Sequence, residues 1–343
     1  MFFHKMTSRD IRDNLATESY LMTHYEKEEP LFLMYIQKPC IIIGKHQNMF
    51  AEVNLKAARQ DKLTLTRRLS GGGAVYDDLG NISFSFVVDK NKATFGDYSS
   101  MVEPIVSVLK EMGVQDISVN GRNDILINGK KVSGNAMYTK KNKMFSHGTL
   151  LYDVDLDKLP AYLNVSEEKL ASKHIKSVAS RVTNIKPYLS KTYQSLSTLE
   201  FQDELLKRLY KVNDLADIAP KEIVLDKKDH QEITQLVKDI YGNDDWVFGH
   251  HQPFTNKKRA YIPSVGLLEA RFQLKNGRIH FIDFLGDFFN QENLSDLRHH
   301  LEDVPYQRIA LKKSLEEIEV SHYFTNLTND QLIDFLIGDH SDD

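Results

Sequence analysis

A chain of 343 residues is long enough to bury two separate cores. Its 48 acidic and 44 basic residues leave a net charge of −4, so nothing in the balance calls for nucleic acid as a partner. A single cysteine excludes an intramolecular disulfide and fits a reducing compartment, and no apolar run reaches the ~20 residues of a membrane span.

In chain order, Met1 to Lys5 turns polar at Ser8-Arg9-Asp10, too soon for a secretory signal, and a cytoplasmic location is expected. From Arg9 to about Glu28, the spacing of Ile11, Leu15, Ser19 and Met22 predicts a docking helix ending before Pro30. Leu31 to Ile36 and Cys40 to Ile43 read as strands, with Cys40 a small buried hydrophobe. Gly44-Lys45-His46-Gln47-Asn48 is a polar turn before a helix near Glu52 to Gln60.

The stretch from Arg67-Arg68-Leu69-Ser70 through Gly71-Gly72-Gly73 to Ala74-Val75-Tyr76-Asp77-Asp78 is a glycine-rich connector. Upstream lies Leu63-Thr64-Leu65-Thr66; downstream Ile82, Phe84 and Phe86 alternate with Ser83 and Ser85, so the glycines are expected in a strand-to-strand turn. Glycines permit positive torsions and close approach of a ligand, and the flanking guanidinium groups suit phosphate or carboxylate. A flexible hairpin loop is the other reading. It is not a Walker loop, because no Gly-Lys-Ser/Thr follows and the next element reads as strand.

A helix is predicted from Val102 to Met112 with Pro104 in its first turn. Asn128-Gly129 then marks a hairpin turn that sets Ile127 opposite Lys130, Leu126 opposite Lys131 and Asp124 opposite Ser133. Alternation puts Arg122, Asp124, Leu126, Lys131, Ser133 and Asn135 on one face and Ile125, Ile127 and Val132 on the other. This polar face is either a functional cation and carboxylate or an ordinary hairpin surface. A second hairpin over Thr139 to Lys143 leads to a strand on which Phe145, His147, Thr149 and Leu151 share a side, with His147 either structural or functional. No Cys/His cluster marks a built-in metal site, and any metal is expected to be Mg²⁺ arriving with nucleotide phosphates.

Cover helices are predicted over Phe201 to Tyr210 and Gln231 to Tyr241, then a polar boundary at Gly242-Asn243-Asp244-Asp245. Strands over Arg259 to Leu274 and Arg278 to Phe284 flank Asn276-Gly277. Amphipathic runs near Asn293 to Leu301, Lys313 to Ile318 and Asn329 to Ile337 complete a small α+β unit.

Four ordered motifs resemble the signature of lipoate-protein ligases: Arg68-x-Ser70-Gly71-Gly72-Gly73-Ala74-Val75-Tyr76-x-Asp78-x-Gly80-Asn81, Gly121-Arg122-Asn123-Asp124, Lys131-Val132-Ser133-Gly134 and His147-Gly148-Thr149-Leu150-Leu151. Trp246-x-x-Gly249-x-x-x-Pro253 and Gly286-Asp287-Phe288-Phe289 look like the accessory C-terminal domain of the longer members. The resemblance implies an α+β fold: a mixed, largely antiparallel sheet catalytic domain of the biotin/lipoate ligase type over residues 1–244, and a smaller C-terminal α+β domain over 245–343. It implies ATP, Mg²⁺ and lipoate, with lipoyl-AMP formed first and its acyl group passed to a lysine on an acceptor protein. The acceptors would be lipoyl domains of 2-oxoacid dehydrogenase E2 subunits, the glycine-cleavage H protein, or both; no membrane partner is implied.

By the same resemblance Lys131 is the catalytic cation. Arg68, the backbone of Gly73, Ala74, Val75 and Tyr76, Lys131 and Asp124 would hold ATP, with Asp124 near the metal through phosphates. Lys131, Ser70, Gly71, Gly72, Asn81 and His147 would bind lipoate, with Gly44, Gln47 and Asn48 in a lesser role. An apolar tunnel would draw on Leu69, Val75, Leu126 and Leu151, and a hinge near residues 242 to 246 would open the site. Many relatives carry His where this chain has Asp77, so a histidine-based role at that position is untenable here. The rival readings are an ATP-independent octanoyl or lipoyl transferase, which needs a nucleophilic cysteine, and a non-catalytic lipoyl-binding module. Biotin ligases share the architecture, but their glycine-rich loop is interrupted by arginine.

Overall fold

The computed structural model describes residues 1–120, 123–164, 181–249 and 253–338. Gly121 and Arg122 of the second motif lie outside them. Among the described residues no helix is long and apolar enough to cross a membrane.

Strand β1 (Phe2–Lys5) precedes helix α1 (Ile11–His24), which Asp10 caps by accepting from the Arg12 amide. Strands β2 (Leu31–Tyr35) and β3 (Cys40–Ile43) follow, then β4 (Thr64–Arg67), β5 (Val75–Asp77) and β6 (Asn81–Asp89). After helix α2 (Tyr98–Glu111) come β7 (Ile117–Asn120), β8 (Asp124–Ile127), β9 (Lys130–Lys140) and β10 (Lys143–Leu151). The main sheet has the order β1-β2-β6-β10-β9-β8-β7, parallel only between β1 and β2. The period-two pattern of β6 divides its faces. Ile82, Phe84 and Phe86 pack against α2 and the later helix α3 (Thr198–Tyr210), each such burial worth about 1.5–3 kcal/mol. Asn81, Ser83 and Ser85, all buried, lie on the opposite face.

That polar face is covered by a second, three-stranded sheet of order β4-β3-β5 and by α1. The glycine connector is therefore no hairpin turn. Strand β4 runs parallel to β3 on one side and β5 antiparallel on the other, so residues 68–74 cross over β3. The sequence pattern hid this because β5 spans only Val75–Asp77 and β6 belongs to the other sheet.

Helix α2 starts earlier than expected because Asp97 caps it, accepting from the Ser100 amide, and Pro104 consequently sits inside the helix. Helix α4 (Lys227–Leu236) lies against α1, and Tyr241 beyond it reaches Ser19. A short helix α5 (Asp244–Phe248) is tied to β4: Arg67 donates to the Trp246 and Val247 carbonyls at 2.7 and 3.0 Å, and Trp246 Nε1 donates to the Arg67 carbonyl at 2.9 Å. Residues 244–248 are thus tied to β4 and overlap the segment near residues 242 to 246 where a hinge is expected.

The C-terminal unit has a sheet of β11 (Asn256–Ile262), β12 (Gly266–Lys275) and β13 (Arg278–Gly286), backed by α6 (Leu294–Leu301), α7 (Arg308–Ser314) and α8 (Asn329–Ile337). The single strand expected from Arg259 to Leu274 is two, broken where Ser264 takes a positive φ of 67°. The helix expected near 313–318 lies earlier, with Leu311 as its buried residue. Asn128-Gly129 and Asn276-Gly277 both take positive φ, as hairpin turns of this kind require.

Candidate active site

Pairing across the main sheet sets Tyr35, Ser83 and Thr149 side by side, and the Gly134 amide donates to Thr149 Oγ1 at 3.4 Å. Ser83, Thr149 and Gly134 are small and leave room beside Tyr35. A cavity of about 110 Å³ opens between the two sheets, with Leu15, Tyr35 and Ile42 as its apolar wall and Gly73, Lys131 and His147 among its polar lining.

Lys131 stands at the start of β9. Its main chain is held on both sides, paired with Leu126 and bonded to the Arg181 carbonyl at 2.7 Å and the Thr183 amide at 2.9 Å. Its Nζ lies 2.7 Å from Asp124 Oδ1. Asp124 pairs with Gly134, not Ser133, because the ladder slips between Ile125 and Leu126. The slip also explains Gly134: a Cβ there would lie 2.8 Å from Lys131 Nζ, so the ammonium folds back over a bare strand. Ile125, Ile127 and Val132 are buried in the core, as the alternation requires.

The glycine connector is built by arginine. Arg68 Nη2 donates to the carbonyls of Gly71 and Gly73, each at 2.7 Å, and Nε donates to Ser70 Oγ at 3.1 Å. Arg67 donates to the carbonyls of Gly44, Lys45 and Gln47. Both guanidinium groups donate within the protein, Arg67 to main-chain oxygens and Arg68 to main-chain oxygens and Ser70 Oγ, and burial lowers each pKa to about 10. The glycines have distinct reasons. A Cβ on Gly71 would meet the Phe288 carbonyl at 2.3 Å, and one on Gly44 would meet the Gly72 carbonyl at 2.0 Å. Gly72 has a φ of 90°, and only Gly73 faces open space. The C-terminal unit closes over this loop, with Phe288 stacked on His46 at 4.8 Å and the Gly72 amide donating to the Phe288 carbonyl at 3.3 Å.

His147 sits between Ser70 and Glu18. Its Nε2 is 2.7 Å from Ser70 Oγ, and its Nδ1 is 3.0 Å from Glu18 Oε2. In the neutral imidazole with its hydrogen on Nδ1, the carboxylate accepts from Nδ1–H and Nε2 accepts from the serine hydroxyl. Ser70, His147 and Glu18 are all buried. Glu18 was missed in the sequence; the available signal was a carboxylate three residues after Leu15 on the buried side of α1. Ala74 and Val75 line the cavity, whereas the Tyr76 side chain packs away from it against Tyr162. Asn81 is fully buried and donates to Ser83 Oγ at 3.2 Å. Of the expected tunnel residues only Val75 lines the cavity; Leu151 belongs to the core beside Ile41, and Leu69 to the cluster around α1. Gln47 accepts from the Gly44 amide, and Asn48 caps a helical turn.

Asp77 also lines the cavity and is buried. Burial pushes its carboxyl up to about 7, a bond from Gln37 pulls it down, the Asp78 carboxylate raises it and Arg68 lowers it. A folded-state pKa above the ordinary 3.8 means that the folded protein holds the proton more tightly, so stability falls as pH rises from about 4 to about 7. Asp77→Asn is expected to melt progressively higher than the parent across that range and nearly level with it below pH 4. Thermal midpoints at several pH values check this, and a constant offset contradicts it.

Residues 10–210 match the family model for the lipoyl protein ligase A/B catalytic domain, and residues 251–336 that for the bacterial lipoate protein ligase C-terminus. The crystal structure of P. falciparum LipL1 in complex with lipoate shares the fold at a TM-score of 0.76 and 23% identity, covering 98% of this chain and 99% of that one. A lipoate-protein ligase A bound with ATP shares it at 0.56 and 24%, covering 73% and 99%. The lipoate-protein ligase LplJ of Bacillus subtilis is 36% identical over 336 residues, 98% of this chain and 99% of its own length. The fold is that of a ligase with a mixed-sheet catalytic domain and a smaller C-terminal one. The chain belongs to the lipoate-protein ligase family.

Proposed function

We propose that this chain activates lipoate with ATP and transfers the lipoyl group to the ε-amine of a lysine on a lipoyl-acceptor domain. A lipoate carboxylate oxygen bonds to the α-phosphorus while the bond to the bridging oxygen breaks, and pyrophosphate leaves with that electron pair. The acceptor amine then attacks the acyl carbon of lipoyl-AMP, AMP leaves, and the amine proton passes to solvent. Both steps gather anions, so fixed positive charge must be aimed where negative charge develops. The observation that carries the reading is the Lys131 ammonium folded over Gly134 on a cavity that also reaches Gly73.

In this proposal Lys131 contacts both the acyl oxygen and the α-phosphate, and the backbone of Gly73, Ala74, Val75 and Tyr76 lies along the nucleotide. Arg68 acts through the carbonyls it holds in place. Ser70, Gly71, Gly72, Asn81 and His147 surround the acyl group, Ser70 and His147 as a hydrogen-bonded pair and Asn81 from behind Ser83. Asp124 offers one carboxylate, which suits Mg²⁺ carried in on phosphates, where the ion would neutralise charge on the departing pyrophosphate.

Phe288 and Phe289 of the C-terminal unit, residues 245–343 in this division, close the glycine connector and would have to withdraw for a protein acceptor to enter. E2 lipoyl domains or the glycine-cleavage H protein, in the cytoplasm, are the proposed acceptors. Cys40 is fully buried, its thiol pushed well above the usual range by burial, which favours ligase over transferase. The test is pyrophosphate release from ATP with lipoate and no acceptor protein. Lipoate-dependent release is expected; lipoate binding without release would establish the non-catalytic binding module.

A further inference from the structure

The wall of the cavity opposite Lys131 carries more acceptors than donors. Gln37 is fully buried, and its Nε2 donates to Asp77 Oδ2 at 2.7 Å and to Ser83 Oγ at 3.1 Å, which uses both of its hydrogens. Asn81 Nδ2 donates to the same serine oxygen at 3.2 Å. Asp77 Oδ1, Gln37 Oε1 and Asn81 Oδ1 are left buried with no hydrogen-bond partner. Asp77 and Ser83 face the cavity, and the two amides stand behind them. A buried polar atom without a partner is costly, and a group that enters the cavity beside Asp77 offsets that cost at its carboxyl. Asp77 is the one charged group in this cluster, and among the described residues no group of three His, Cys, Asp or Glu side chains is placed to hold a metal.

Its position sets what that something is. Ser83 and Gly134 stand two strands apart in one row, about 10 Å across the sheet. Lys131 Nζ lies over Gly134 at one end of the row, and Asp77 and Gln37 stand at Ser83 at the other. The separation is about the length of an extended octanoyl chain. An acid whose carboxylate meets Lys131 therefore brings its far end to Asp77.

We propose that Asp77 and Gln37 determine acyl specificity, favouring a chain whose far end bears sulfur over one that ends in a methyl group. This rests on the ligase reading above. A thiol of the reduced, dithiol form donates to the free carboxylate oxygen, and a ring sulfur of the oxidised form accepts from the protonated carboxyl. A methyl group does neither and leaves the Asp77 oxygen unpaired.

The test compares kcat/KM for lipoate and octanoate in pyrophosphate release, with calorimetric binding of both acids alongside. The parent protein is expected to favour lipoate by at least about tenfold. Asp77→Val, which keeps a strand-forming side chain but no polar atom, is expected to erase most of that preference, chiefly by lowering KM for octanoate. Asp77→Asn, still able to hydrogen-bond, is expected to keep it within about threefold. A preference unchanged in Asp77→Val, or erased equally in Asp77→Asn, overturns the proposal. If Asp77→Val fails to fold, Gln37→Met, unbranched and without the amide, gives the same reading from the neighbouring residue. Absence of release with either acid in the parent protein is a failure of the ligase reading instead.

Discussion

Lys131→Ala is expected to lower lipoate-dependent pyrophosphate release by at least about 10²- to 10³-fold while leaving the protein folded. Leu126 on one side and Arg181 and Thr183 on the other fix the main chain of Lys131, and Gly134 clears the space into which its ammonium folds. A charge held this way needs no reorganisation as negative charge develops, which is where preorganised electrostatics contribute most. The ion pair with Asp124 is partly exposed, about a third for the lysine and a fifth for the aspartate, so its loss costs at most about 1 kcal/mol. Single-turnover adenylation and a thermal melt on one preparation separate the two effects. Parent-like rates would remove Lys131 from the chemistry.

Arg68→Lys is expected to destabilise the protein by about 1–3 kcal/mol and to lower adenylation strongly with it. Arg68 is buried, and its guanidinium joins the Gly71 and Gly73 carbonyls to Ser70 Oγ in one planar group. A lysine ammonium keeps the charge but not the fork, so main-chain oxygens of the connector lose their donors. Ser70 would lose the partner on its far side from His147, and the row from Arg68 to Glu18 would slacken. Urea unfolding gives the stability change. A variant as stable as the parent, with activity reduced only through KM for ATP, would mean that the guanidinium serves the nucleotide more than the loop.

The hairpins were legible because Asn128-Gly129 and Asn276-Gly277 each impose positive φ at both turn positions, a demand few other residue pairs meet. The small polar face of β6 was equally open to reading, since Ser83 and Ser85 alternate with Phe84 and Phe86. Three features were not. The slip between Ile125 and Leu126 moves Asp124 from Ser133 to Gly134, and a one-residue bulge leaves no mark on alternation over so short a strand. Glu18 is sequestered because α1 is covered by the sheet on one side and α4 on another, while spacing reveals only one face of a helix. The glycines at 44 and 71 answer to backbone at Gly72 and Phe288, contacts made across long stretches of chain, so glycine-rich composition alone did not reveal the packing that also requires them.

The most direct measurement is a crystal structure of the protein with a hydrolysis-resistant lipoyl-adenylate analogue carrying a sulfamoyl group in place of the phosphate. We expect the acyl chain between the two sheets, its sulfur end at Asp77, and Lys131 Nζ within about 3 Å of the acyl oxygen and a sulfamoyl oxygen, with the nucleoside along Gly73 to Tyr76. An analogue seated elsewhere, or a Lys131 ammonium that remains on Asp124 and touches neither oxygen, would contradict the site described here.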